Sequence, residues 1–288
     1  MLFRSVLVGV ALPMPRIHPP VAVSGTQVYI LGGSDGTKPT SDFYLFDTTI
    51  SPAGAYASVS NPSGFAIGDQ IAVAVDGTRY AISGAPPIEF QVGTAATTPL
   101  SGVTGLPATG VTVVPADQIA TAIFAGDGAG STGIVQVRGS QVTEVAAGTL
   151  RVGHAITQTA DGKVLVLGGG DGTTLSPDGI AITPGTAPTA TVVPGLLATP
   201  RSDVAIATTP RYIVAAGGLA QDGTTLGDAV VLEATTLAPI TTLPLVVPRS
   251  GAVAIALQND QILIAGGLDA TGAPTSVIEL FTPDTDVE

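Results

Sequence analysis

Arginine and histidine are the residues of this sequence with the clearest potential for binding chemistry. Four arginines stand at comparable places, each after a proline or leucine: Arg16, Arg151, Arg201 and Arg249. A guanidinium group is a rigid cationic fork that holds a carboxylate or phosphate through two hydrogen bonds. Both histidines of the chain, His18 and His154, follow closely after two of these arginines. The spacing predicts that a regular fold brings these polar groups together.

Two hypotheses account for the arginines. On the first, they form a partial ring on one face and bind a carboxylate or phosphate of a ligand, with the histidines beside them. On the second, each arginine donates hydrogen bonds to carbonyl groups at its own junction between structural repeats. Two histidines are too few for a multi-histidine metal site. We therefore expect His18 and His154 to line a channel, with neither a metal nor a cofactor.

Composition excludes several functions. The formal net charge is −12, and the 10 lysines and arginines are scattered, which argues against nucleic acid and against an anionic membrane surface. The chain has no cysteine, which excludes disulfides, thiolate metal sites and cysteine nucleophiles. No apolar run approaches the roughly 18 residues of a membrane-spanning helix. We expect neither nucleic-acid binding nor membrane insertion.

The elements that position these residues are short strands. With 37 glycines and 23 prolines beside 45% hydrophobic residues, the composition is typical of many strands joined by tight turns. One unit recurs: an apolar strand that ends in Gly-Gly, followed within a few residues by an Asp-Gly turn or a related turn. The second small residue of each copy falls at 33, 84, 126, 169, 218 and 267. Such spacing is close to the length of a four-stranded propeller blade.

The flanking segments complete each unit. Asp-Gly turns between alternating apolar residues, as in 73–82 and 156–165, predict hairpins before the glycine pairs. A third strand follows each pair, for example at 42–46 and 228–232, and a fourth strand leads into the next arginine.

This pattern resembles the kelch repeat. The matching features are the Gly-Gly at the end of the second strand, the Asp-Gly after it, and the Pro-Arg-Ser that opens a new unit at 200–202 and 248–250. The resemblance spans the whole chain, and units two and three match it poorly. Kelch repeats usually carry a tryptophan in the fourth strand, whereas this chain has none. We therefore expect thinner packing between blades.

The resemblance implies one all-β domain over residues 1–288. We predict a six-bladed β-propeller of four-stranded antiparallel blades, closed by an N-terminal strand that joins the last blade. The predicted blades are 16–64, 65–110, 111–150, 151–200, 201–248, and 249–288 plus 5–12. The first twelve residues also resemble a short signal peptide, but they lack a small-x-small cleavage site before Pro13. The sixth unit also lacks a fourth strand, which the N-terminal residues before Arg16 would supply. We therefore favour the closing strand.

The glycine-rich loops invite a phosphate-binding interpretation, and the Asp-Gly turns invite calcium. No Gly-Lys-Ser/Thr follows the glycines, and each turn offers too few carboxylates for a calcium site. We expect the glycines to be structural, because glycine lets a strand kink and lets neighbouring blades approach closely. The structural glycines are Gly32, Gly33, Gly168, Gly169, Gly217, Gly218, Gly266 and Gly267.

The function expected from the resemblance is non-catalytic. Kelch-containing copper oxidases need a cysteine ligand, which is absent here. We expect a binding or scaffold propeller that recognises a protein segment or a glycan on one face. The alternatives are a mutarotase or epimerase of kelch type that acts on an acidic sugar, or a propeller domain of a larger exported protein. The composition is similar to that of secreted bacterial kelch proteins, so we expect a monomer outside the cell or in its envelope.

Overall fold

Short β-strands make up the regular structure of the computed structural model. The model describes residues 3–7, 11–24, 27–40, 42–47, 55–58, 71–73, 79–82, 88–91, 97–99, 112–115, 121–125, 133–138, 141–146, 151–257 and 260–283. These residues contain 26 strands and no α-helix. Among them there is accordingly no helix with the length and apolar character to cross a membrane.

The described part of the chain contains six antiparallel sheets of four strands each. The first three are β2 (Val21–Ser24), β3 (Gln27–Leu31), β4 (Phe43–Asp47) and β5 (Ala55–Ser58); β6 (Ile71–Val73), β7 (Arg79–Ile82), β8 (Ile88–Gln91) and β9 (Thr97–Pro99); and β10 (Thr112–Pro115), β11 (Thr121–Ala125), β12 (Ile134–Arg138) and β13 (Gln141–Ala146). The next two are β14 (Val152–Gln158), β15 (Val164–Gly170), β16 (Gly179–Thr183) and β17 (Thr189–Val193), then β18 (Ala205–Thr208), β19 (Tyr212–Ala216), β20 (Asp228–Glu233) and β21 (Pro239–Pro244).

The sixth sheet combines the two ends of the chain. It contains β23 (Val253–Ala256), β24 (Ile262–Ala265), β26 (Ile278–Pro283) and, outermost, β1 (Phe3–Leu7). Strand β1 pairs antiparallel with β26, from Phe3 opposite Pro283 to Leu7 opposite Glu279. The N-terminal strand was expected over 5–12 and instead begins at Phe3. A short pair, β22 (Arg249–Ser250) and β25 (Leu268–Asp269), completes the set.

The prediction of an all-β fold built from four-stranded antiparallel sheets is confirmed. Within the first five sheets, strands pair in chain order, which gives simple meanders. The first strands of successive sheets lie side by side in the order β2, β6, β10, β14, β18 and β23, and β23 also contacts β2. The sheets therefore stand face to face, with their first strands together.

The core lies between neighbouring sheets. The second strands are the most buried: every residue of β15, β19 and β24 is buried, since each has a neighbouring sheet on both sides. Apolar clusters fill the spaces, such as Val214, Val231, Ile264 and Phe281 between the fifth and sixth sheets. The largest wholly buried side chains also include two arginines, Arg201 and Arg249.

Glycine pairs allow the close approach of successive sheets. All eight structural glycines named above have positive φ. The amide of Gly218 donates to the carbonyl of Arg249, at 2.8 Å. A Cβ atom on Gly217 would lie only 2.1 Å from that same oxygen. Equivalent amide–carbonyl bonds join Gly169 to Arg201 and Gly267 to Arg16. These three glycine pairs therefore hold the arginine backbone of the next sheet.

Candidate functional site

The four arginines stand at equivalent junctions, just before the first strand of four sheets. Their side chains point into the protein, and the residues are between 0% and 4% exposed: Arg16, Arg151, Arg201 and Arg249. A buried guanidinium group requires partners for its charge and its donors. The bonds that each arginine makes therefore decide what it can still do.

Arg201 makes the most complete set of bonds. Its two terminal nitrogens donate to both carboxylate oxygens of Asp228, at 2.9 and 3.1 Å. Nη1 also donates to the Gly217 carbonyl and Nε to the Thr199 carbonyl, at 3.1 and 3.2 Å. Asp228 opens the third strand of the same sheet, β20. The guanidinium group is occupied within its own repeat.

Arg249 forms a fully buried ion pair with Glu279, and both side chains are 0% exposed. Nη2 donates to the Glu279 carboxylate at 3.2 Å, and Nη1 donates to the Val277 carbonyl at 2.9 Å. Glu279 also accepts from the Val246 amide at 2.6 Å and from the Ser5 hydroxyl of β1. Burial lowers the pKa of Arg249, and the Glu279 charge opposes that effect.

Arg16 repeats this arrangement nearer the surface. Its Nη2 donates to the Asp42 carboxylate at 2.6 Å, and Nη1 donates to the Pro15 carbonyl at 3.1 Å. The guanidinium carbon lies 5.9 Å from the centroid of the Tyr44 ring, within cation–π range. Asp42 immediately precedes the third strand, β4.

Arg151 is the incomplete member of the set. It donates to the backbone carbonyl of Asp178, whose carboxylate instead accepts from the Gly195 amide at 2.8 Å. Its Nε has no partner among the described residues. In Arg201 and Arg249, Nε bonds the carbonyl two residues earlier; the corresponding residue, 149, lies outside the described residues. Burial lowers the pKa of Arg151, and the charge of Asp178 opposes this.

These contacts agree with the second hypothesis for the arginines, in which each serves its own junction. The acidic partners at the third strand are the residues that sequence reasoning missed. A signal for them exists, because an acidic residue follows each arginine at a separation of 26 to 30 residues. The separation crosses two strands, so only the repeat alignment would have exposed it.

Backbone hydrogen bonds join the sheets beside their first strands. The residues two positions after the four arginines are His18, Gly153, Asp203 and Gly251, and they are called the rim here. The rim amides of Asp203, Gly251 and His18 donate in turn to the carbonyls of Gly153, Asp203 and Gly251, each at 2.8 Å. All four rim residues have positive φ. Main-chain hydrogen bonds thus link the four rim residues in a ladder.

Two rim residues carry side chains that meet. His18 Nε2 lies 3.2 Å from Asp203 Oδ1, and the side chains are 59% and 29% exposed. Ser202 Oγ lies 3.4 Å from the other Asp203 oxygen. Between the two residues stands Gly251, where a Cβ would lie 2.8 Å from His18 Nε2. The exposed polar chemistry of the rim is this pair.

His154 is placed differently from His18. It is 8% exposed, and its Nδ1 lies 2.6 Å from the Arg151 carbonyl oxygen. Because a carbonyl only accepts, Nδ1 carries the proton toward Arg151. Nε2 lies 2.7 Å from the Thr112 hydroxyl of the neighbouring sheet. The two histidines are therefore not brought together, and the described residues contain no group of three potential metal ligands.

Acidic loops surround the rim on the same face. The loops between second and third strands carry Asp35, Asp171, Asp222 and Asp269, each of which accepts a backbone N–H two residues later. The end of the sheets that carries these loops and the arginine junctions is called the loop face here. The bonds within each loop are those of Asx turns, so the carboxylates already have partners.

The aspartate turns predict a loss of stability in acid. The Thr173 hydroxyl and the amides of Thr174 and Thr173 hold the pKa of Asp171 at about 2, and Asp35 is held at about 2 by Thr37 and its neighbours. A lowered folded-state pKa stabilises the fold above the ordinary value of 3.8, and this contribution disappears as pH falls through about 2. Asp171→Asn keeps an acceptor but does not titrate.

Thermal unfolding of wild type and Asp171→Asn, followed from pH 6 to pH 2, tests this. We expect wild type to be the more stable at pH 6 and the difference to vanish towards pH 2. Glu144→Gln, at an exposed strand position, should retain the wild-type slope. Identical slopes for wild type and Asp171→Asn would contradict the assignment.

The four-stranded sheets, glycine pairs and arginine junctions agree with the kelch resemblance of the sequence. Residues 15–50 match the family model described as the kelch motif. The chain therefore carries a kelch motif, and the resemblance predicted from the sequence is confirmed. No curated protein sequence matches the chain.

Solved structures share the fold. The structure of YjhT has a TM-score of 0.75 and 14% identity, and the match covers 96% of this chain and 97% of that one. A fungal alcohol oxidase of the AA5 family, in complex with copper, has a TM-score of 0.67 and 14% identity. That match covers 92% of this chain and 62% of the oxidase. With the kelch match, these likenesses identify the architecture as a β-propeller.

Proposed function

We propose that the chain is a six-bladed propeller closed by β1 and that it serves as a non-catalytic binding platform. Its loop face would recognise a protein segment or a glycan. Three observations support closure: β1 pairs with β26, the first strands β23 and β2 are in contact, and Gly267 bonds the Arg16 carbonyl. A closed ring leaves few unpaired strand edges and provides a rigid support for the face.

The observation that carries the binding function is the internal use of the arginines. Arg16, Arg201 and Arg249 already hold carboxylates of the fold. The groups left exposed at the rim, His18 and Asp203, are suited to hydrogen bonding with a ligand. The loop face therefore offers exposed hydrogen-bonding groups to a ligand, while the buried arginines beneath it are neutralised by carboxylates of the protein.

Conversion of an acidic sugar by a mutarotase or epimerase is the less supported alternative. In that mechanism the arginines would hold the substrate carboxylate. The substrate would then have to displace a buried carboxylate such as Glu279. Breaking a buried ion pair in this way costs about 3–5 kcal/mol.

The platform proposal places the protein outside the cell or in its envelope, as a monomer without a cofactor. Its second alternative is that the chain forms one propeller domain of a larger exported protein.

Capture experiments test the binding function and the face that carries it. They use two variants in which an exposed alanine is replaced by arginine. Ala273 is exposed in a loop of the loop face, and Ala187 is exposed in a turn at the opposite end of the sheets. Wild type, Ala273→Arg and Ala187→Arg would be immobilised and exposed to lysate and medium of the producing cells and to a glycan array. We expect a partner that wild type and Ala187→Arg retain and Ala273→Arg loses.

The possible results separate the two parts of the proposal. Equal retention by both variants would place binding elsewhere and overturn the choice of face. Failure of folded wild type to retain any protein or glycan would overturn the platform function. Turnover of an acidic sugar by the purified chain would favour the enzymatic alternative.

A further inference from the structure

The rim also indicates which ligand the loop face takes. We propose that His18 and Asp203 form a binding site for a neutral carbohydrate, recognised through a pair of neighbouring hydroxyl groups. This inference rests on the proposed binding function and names the ligand class and its contacts. It is carried by the backbone, the geometry and the charge of the rim.

The backbone shows that these side chains are not needed for the frame. His18 and Asp203 have φ values of 46° and 53°, in the left-handed region that side chains rarely adopt. The equivalent positions in the other two described junctions are glycines, Gly153 and Gly251, which make the same main-chain ladder. Two strained positions thus carry polar side chains where glycine would serve the fold. Strained residues of this kind concentrate at functional sites.

The geometry makes the pair accessible and holds it in place. Gly251 separates the two residues, and any Cβ there would collide with the His18 ring at 2.8 Å. The gap left by this glycine lets Nε2 of His18 approach Asp203 Oδ1 to 3.2 Å. Ile17 lies at the same gap, with its Cγ2 3.1 Å from the Cβ position of Gly251. A polar pair therefore sits next to an apolar side chain.

The chemistry of the pair suits hydroxyl groups. With Nε2 directed at the carboxylate, His18 Nδ1 remains, and the part of the chain that the structure describes supplies it no partner. A carboxylate can accept about four hydrogen bonds, and Asp203 is approached only by His18 and, at 3.4 Å, by Ser202 among the described residues. One sugar hydroxyl can donate to Asp203 while its neighbour bonds Nδ1. Ile17, at the same gap, offers contact to the C–H face of the ring.

The charge of the loop face favours a neutral ligand over an acidic one. The arginines that would attract a carboxylate hold carboxylates of the protein instead. The loop aspartates Asp35 and Asp171, with pKa values of about 2, stay negative throughout the neutral range. An anionic sugar at the rim would meet the negative charge of Asp203 and of these loops, whereas a neutral sugar would not.

An array of neutral and sialylated oligosaccharides, followed by calorimetric titration of the strongest neutral binder, tests the site. The variants are His18→Asn and Asp203→Asn, because asparagine adopts the left-handed conformation readily. Glu144→Gln, at an exposed position of strand β13, makes the same change from carboxylate to amide and is the control. We expect wild type and the control to bind alike and each rim variant to bind at least about tenfold more weakly, as expected when a bound polar partner is lost.

The absence of any neutral carbohydrate binding at millimolar concentration would overturn the site. Equal binding by wild type and both rim variants would overturn it as well. A protein partner lost by Ala273→Arg, with no glycan bound, would overturn the carbohydrate site and leave the platform function standing. Thermal unfolding of each variant is the folding control, and we expect both rim variants to unfold as cooperatively as wild type.

Discussion

Replacing Glu279 by glutamine should destabilise the protein by about 3–5 kcal/mol, the usual cost of breaking a buried ion pair from one side. The substitution preserves shape and leaves the Arg249 guanidinium group buried without its counter-charge. Burial already lowers the pKa of Arg249, and the charge that opposes this effect would be lost. The same carboxylate accepts from the Val246 amide and from Ser5 of β1, so the closing strand would also lose an attachment.

Urea unfolding of wild type and Glu279→Gln measures this loss. Glu144→Gln is the control, because Glu144 is exposed on strand β13, and it should change the free energy of unfolding by less than about 0.5 kcal/mol. Ser5→Ala should fall between the two. A free energy of unfolding for Glu279→Gln within 1 kcal/mol of wild type, on the scale of about 0.5–1.5 kcal/mol for an ordinary hydrogen bond, would show that Arg249 does not depend on this carboxylate.

Replacing Gly217 by alanine should cost about 3–5 kcal/mol, through both strain and overlap. The residue has a φ of 64°, and the new Cβ would lie 2.1 Å from the carbonyl oxygen of Arg249. Neither atom can move alone, since that oxygen accepts from the Gly218 amide. The fifth and sixth sheets would have to separate, which would open the apolar cluster between them.

Gly223→Ala isolates the strain from the overlap. Gly223 has a φ of 82° and nothing within 4 Å of its Cβ position. It should lose only about 1–2 kcal/mol, the cost of the left-handed conformation for a side chain. Equal losses for the two variants in chemical denaturation would mean that the sheets tolerate the closer approach.

The strand content and the repeat could be predicted because they are local properties of the sequence. An apolar run that ends in two glycines, followed by an Asp-Gly turn, determines a strand, a kink and a loop within about ten residues, and the second strands β15, β19 and β24 lie where these runs occur. The strand at the N-terminus was also anticipated, since its apolar residues precede a Pro-Arg step. Its extent was misjudged, because pairing with β26 rather than apolar content sets where β1 begins.

The roles of the polar residues depend on distant partners and were harder to predict. Arg201 donates to both carboxylate oxygens of Asp228, a residue two strands further along the chain. The contact between His18 and Asp203 joins residues far apart in sequence, through the order in which the sheets stand. Nothing in the neighbourhood of either residue marks such a meeting.

The main-chain ladder of the rim restricts the chemical repertoire that this surface can acquire by mutation. Positions 18, 153, 203 and 251 accept only residues that adopt left-handed backbone geometry. Among residues with side chains, asparagine, aspartate and histidine do so most readily. The rim can therefore carry an amide, a carboxylate, an imidazole or no side chain at all. Substitution can therefore exchange hydrogen-bonding groups at positions 18 and 203 while the main-chain ladder stays constant. Bulky or β-branched residues are excluded from the rim by conformation, and at Gly153 and Gly251 also by lack of space, since an added Cβ would lie 2.7 Å from Ser202 and 2.8 Å from His18.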